Sequence, residues 1–87
     1  MMLDPSKLEV PDGPYPWGFR LIGSDVEQLR EVALAVLGDR DPQIRPGNSS
    51  RTGKYCSLEA EVVVRDREDQ LALFGLLAEQ PGVLRVL

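Results

Sequence analysis

A chain of 87 residues is one small domain, and its hydrophobic fraction of 43% and charged fraction of 28% are those of a soluble globular protein. Fourteen acidic against ten basic side chains give a net charge of -4, the wrong sign for life on nucleic-acid phosphates, and the absence of histidine removes the usual general base and the usual metal ligand. One cysteine, Cys56, forms no internal disulfide, and neither a membrane-length apolar run nor a signal-peptide pattern follows Met1, so the expected location is cytoplasmic with no membrane contact.

Residues 1–16 hold four of the seven prolines and little apolar periodicity, which predicts an irregular N-terminal tail whose end is pinned by Tyr15 and Trp17. A single domain is expected over 17–87. Its first strand is Trp17 to Ile22, with Trp17, Phe19 and Leu21 on one side. Gly23 ends it. Ser24-Asp25-Val26-Glu27 has the capping-box form, so Ser24 is the expected cap of a helix with Val26, Leu29, Val32, Ala33, Val36 and Leu37 inward and Gly38 as a left-handed stop.

Pro42 to Pro46 reads as a short strand at a sheet edge, because proline cannot donate to a central ladder. After the loop 47–53, Tyr55 to Arg65 is the longest strand, with Cys56, Leu58, Ala60, Val62 and Val64 facing the core. Asp66 caps a second helix whose inward stripe is expected to be Leu71, Phe74, Leu77 and Ala78, widened by Leu73 and Leu76. Pro81-Gly82 ends it, and Val83 to Leu87 reads as a last strand with Leu84 and Val86 inward. The order βαββαβ is that of the ferredoxin-like α+β fold: a four-stranded antiparallel sheet with two helices on one face.

Three constellations invite chemistry. The stretch Gly47 to Ser57 is glycine- and serine-rich and carries Arg51 and Lys54, but five residues rather than four separate Gly47 from Gly53, Tyr55 follows Lys54, and a strand rather than a helix comes next, so it is no nucleotide loop. With Arg45, Ser50, Arg51, Lys54 and Tyr55 it remains a candidate contact for an anion or an acidic partner. An RNA-recognition domain shares the topology and is the alternative function, yet the open sheet face offers Tyr55 alone as a stacking platform, and the net charge argues against nucleic acid. Glu59 and Glu61 share one strand face, where Arg20 or Arg85 is placed to pair with them and solvation keeps them ionised; they are read as surface charges rather than an acid-base pair.

Pro16-Trp17-Gly18-Phe19-Arg20-Leu21-Ile22-Gly23, Ser50-Arg51-Thr52-Gly53-Lys54-Tyr55 with the alternating strand after it, and Pro81-Gly82-Val83-Leu84-Arg85-Val86-Leu87 together resemble the YbeD-like family of small bacterial proteins of unknown function. The family pattern Ser-Ser-Lys-Gly-Lys-Tyr is one residue shorter than Ser49 to Tyr55 here. The resemblance implies a fold similar to ACT regulatory domains, which bind small effectors where the first strand turns into the first helix; the corresponding positions are Gly23, Ser24 and Asp25. It implies no catalytic residues, no cofactor and no metal. The expectation is a non-enzymatic regulatory or adaptor module that binds a small effector or a protein partner. Ile22, Val63 and Leu87 on the open face, with Leu73 and Leu76, give it area for a homodimer.

Overall fold

The structure is a computed structural model that describes residues 13–49 and 53–87. The tail expected over residues 1–12 lies outside the described residues. Four strands and two helices follow in the expected order: β1 (Tyr15–Gly23), α1 (Val26–Leu37), β2 (Gln43–Ser49), β3 (Cys56–Val64), α2 (Arg67–Ala78) and β4 (Arg85–Val86). The sheet order is β2-β3-β1-β4 with every pair antiparallel, which is the ferredoxin-like arrangement with the two longest strands at its centre.

Period-two alternation sorts the central strands cleanly. Leu58, Ala60, Val62 and Val64 of β3 are buried, as are Phe19 and Leu21 of β1, and α1 adds Leu29, Val32, Ala33 and Leu37 to the same core. Cys56 is half-buried against that core, its thiol donating to the Gly23 carbonyl at 3.4 Å. β1 starts two residues before Trp17: Tyr15 pairs with Val64 and is buried, and its hydroxyl donates to Oε1 of Gln70 on α2. Trp17 meets the Tyr15 ring edge-on at 6.3 Å and stays partly exposed.

Several local expectations are corrected. The cap of α1 is Asp25, whose side chain accepts from the Glu27 amide at 3.0 Å; Ser24 is exposed and makes no cap bond. Gly38 is not left-handed: its φ of -58° continues the chain into a short 3-10 turn, Gly38–Arg40, and the reversal comes at Asp41 with φ 53°. Aspartate tolerates that region better than most side chains. α2 is rotated relative to the expected stripe. Its buried residues are Asp69, Leu73 and Leu77, whereas Leu71, Phe74, Leu76 and Ala78 are exposed.

The cause is an aspartate in the first inward slot. Asp69 accepts from Arg40 at 2.7 and 2.8 Å, and from the Arg65 amide at 2.9 Å. This bidentate pair ties the start of α2 to the turn after α1, and the helix then buries whatever lies four and eight residues on. In β4 the alternation begins only at Arg85. The turn at Gly82, φ 85°, tucks Val83 toward the core and leaves Leu84, expected inward, exposed.

Candidate functional site

Both helices cover one side of the sheet, so the other side displays the second residue of every alternation. Because β1 and β3 pair antiparallel, the register sets Arg20 opposite Glu59, Gly18 opposite Glu61 and Pro16 opposite Val63. On the far side of β3, Arg45 stands opposite Glu59 and Gln43 opposite Glu61. Beyond β1, Arg85 stands opposite Ile22, and Leu87 exchanges backbone hydrogen bonds with Arg20 at 2.8 and 3.0 Å.

Charges of opposite sign on neighbouring strands attract across the ladder. Arg20 donates to Glu59 at 2.6 Å, and Arg45 lies 4.0 Å from Glu61, a looser contact. The Arg20 hydrogen bond and its positive charge hold the Glu59 carboxyl below the usual glutamate range, with Arg45 adding to the effect. A general acid needs the opposite shift. Glu59 is a paired surface charge, with Arg20, not Arg85, as the partner in contact.

Gly18 has no side chain to fill the space opposite Glu61, and a methyl group built there would meet nothing within 4 Å. The result is an open groove of about 380 Å³, bounded by Gly18, Arg20, Arg45, Glu59, Glu61 and Leu87. Val63 and Leu87 are more than half exposed beside it.

Gly23 pairs with Cys56, so the turn into α1 and the described end of the loop, Lys54 and Tyr55, lie at one end of the sheet. At Gly23 the space a side chain would need is taken by the Gly82 carbonyl oxygen and the Leu29 side chain, so this glycine is required by close packing of two turns. Asp25 spends its side chain on the helix cap. Ser24 is the exposed member of that trio. Of the loop set, Arg45 is drawn into the groove, Lys54 and Tyr55 are exposed at the loop's end, and Ser50 and Arg51 lie outside the described residues. What the sequence reading missed is the gap at Gly18. The sequence shows a glycine in the outward phase of a central strand, but its placement opposite Glu61 depends on the pairing of two strands.

No helix among the described residues is long and apolar enough to cross a membrane. A family model described as a protein of unknown function (DUF493) matches residues 12–87. A UPF0250 protein of Shewanella piezotolerans is 32% identical, the match covering 99% of this chain and 100% of that protein. An uncharacterized protein of Campylobacter jejuni is also 32% identical, over 72% of this chain and 75% of its own. Among solved structures, protein HP0495 of Helicobacter pylori superposes with a TM-score of 0.73 at 20% identity, covering 100% of this chain and 98% of that one. The ACT domain of a GTP pyrophosphokinase from Chlorobium tepidum superposes with a TM-score of 0.61 at 19% identity, over 85% of this chain and 96% of that domain. At these identities the structural likeness shows the fold alone.

Proposed function

The chain belongs to the DUF493 family of proteins of unknown function, and from that premise we propose that it is a non-enzymatic regulatory or adaptor module whose binding surface is the open face of the sheet. The observation that carries this reading is the groove over Gly18, where two arginines, two glutamates and Leu87 converge on a space the fold itself leaves unfilled. Arg20 pairs with Glu59 and, more loosely, Arg45 with Glu61, and the first of these pairs holds the Glu59 carboxyl low, which favours binding over catalysis. Between the two kinds of ligand, the groove favours a protein. It is shallow and continuous with the exposed Val63 and Leu87, whereas small-molecule sites enclose most of their ligand. The packed surroundings of Gly23 give a small effector little room at the turn into α1.

The test pairs capture from bacterial extract with a thermal-shift panel of amino acids, nucleotides and mixed single-stranded RNA. A stoichiometric protein held by the native chain and lost with Val63→Lys is the expected result, with no panel member raising the melting temperature. Selective stabilisation by one effector class would replace this reading with small-molecule sensing, stabilisation by RNA at low salt would favour the RNA-binding alternative, and capture unaffected by Val63→Lys would move the surface elsewhere.

A further inference from the structure

We infer that the open sheet face is covered by a second copy of this chain, in a twofold, face-to-face dimer; this rests on the reading of that face as the binding surface and names its occupant. The argument is the order of charge across the sheet. β2 presents Arg45, β3 presents Glu59 and Glu61, and β1 presents Arg20, so the sign alternates across these three strands, while β4 adds Arg85 beside β1. A uniformly acidic partner would meet like charge on the central strand β3, and a uniformly basic one on β2, β1 and β4. A copy of the same face need not.

A twofold axis running along the strands between β1 and β3 lays β3 of one copy over β1 of the other. Glu59 then stands over Arg20 of the second copy and Arg20 over its Glu59, joining two intrachain pairs into a network of four alternating charges. The same operation sets Glu61 over the unfilled space at Gly18, and Val63 over Pro16. The groove on each copy is in this way filled by the carboxylate arm of the other. The distribution of net charge agrees. The face carries Arg20, Arg45 and Arg85 against Glu59 and Glu61, a slight positive excess, in a chain whose net charge is -4; approach through the acidic remainder would bring acid toward acid.

The size of the face sets the strength of the contact. Strands of seven, nine, nine and two residues, about 4.8 Å apart, give a face of roughly 430 Å², so a dimer buries on the order of 900 Å² in total, in the range of transient contacts rather than permanent ones. A weak, concentration-dependent dimer follows, loosened by salt because its specificity is electrostatic.

Sedimentation velocity over a dilution series tests this with Arg20→Glu and Glu59→Arg. The native chain is expected to move from the 9.6 kDa monomer toward twice that mass as concentration rises. Each variant alone, its face now carrying like charges where opposite ones should meet, is expected to stay monomeric. An equimolar mixture of the two is expected to recover the dimer mass, because the all-acidic patch of one variant matches the all-basic patch of the other. Val63→Lys, which leaves both charges in place, is expected to shift the native equilibrium toward monomer and stands in should a charge variant lose its helical circular dichroism. A native chain that stays at monomer mass throughout, variants that dimerise as the native chain does, or a folded mixture that stays monomeric would each overturn the inference. A monomeric chain whose partner capture still depends on Val63 would remove the dimer and leave the binding surface; a dimer disrupted by the charge variants alongside partner capture indifferent to Val63→Lys would do the reverse.

Discussion

The two helices solve the same problem in different ways. α1 covers the sheet with an uninterrupted apolar stripe, Leu29, Val32, Ala33 and Leu37, whose spacing of three and four residues can be read straight from the sequence. α2 carries nearly as many large apolar residues, yet it turns Leu71, Phe74 and Leu76 outward and buries Asp69, Leu73 and Leu77 instead. Apolar periodicity therefore decides a helix's orientation only where nothing stronger competes. In α2 a buried ion pair does compete, and it fixes the first turn. The sharpest way to break the comparison is to truncate one residue from each stripe of α2. Leu77→Ala removes a fully buried side chain and is expected to cost about 3 kcal/mol, whereas Leu71→Ala, just over half exposed, is expected to change stability by less than about 0.5 kcal/mol. Urea midpoints at constant slope measure both. Equal losses would mean that α2 sits on the face its apolar count suggests.

The legible parts of the molecule are those where a pattern and its cause are local. The alternation from Cys56 to Val64 could place β3 at the centre of the sheet, and Pro42 and Pro46 could place β2 at an edge, because each residue reports on its own ladder position. The Arg40–Asp69 pair joins residues 29 positions apart, and no local pattern announces it. Its consequences were hidden with it: the rotation of α2, and the passage of Gly38 into a further turn that carries Arg40 to its partner. The open-face register was legible in outline, since Arg20 and Glu59 both fall in the outward phase. The groove was not, because it arises where Gly18 meets Glu61 across two strands.

That same ion pair gives the second prediction. The Asp69 side chain is 6% exposed and Arg40's 23%, so Asp69→Asn leaves a guanidinium without its counter-charge in a poorly solvated place, and a loss of about 3 kcal/mol is expected. The pH dependence has a definite sign. The Arg40 hydrogen bond, aided by the Arg65 amide, holds the Asp69 carboxyl far below its ordinary range in the folded chain. A carboxyl depressed on folding contributes stability above its unfolded pKa, near 3.9, and loses it progressively as pH falls below that value. Stability attributable to Asp69 is thus flat through neutrality and declines below about pH 4. Asp69→Asn removes this part of the acid limb, so native and variant stabilities converge in acid. Parallel curves down to pH 2 would mean that the pair does not control α2.

The smallest effect sharpens the comparison at the starts of the same two helices, where both caps are aspartates. Asp66 accepts from the Asp69 amide at 2.8 Å and Asp25 from the Glu27 amide at 3.0 Å, so α1 and α2 start alike even though their buried faces arise differently. Ser24, the cap expected from the sequence, and Asp25, the cap in the structure, differ in which carbonyl accepts the first helical bond. Leu29 donates to Asp25 at 3.1 Å, which makes Asp25 the boundary and leaves Ser24 in the preceding turn, beside the tight contact between Gly23 and Gly82. Asp25→Ala is therefore expected to cost about 1 kcal/mol, and Ser24→Ala less than about 0.5 kcal/mol. The reverse order in paired urea titrations would shift the start of α1 by one residue and, with it, the inward phase of Leu29.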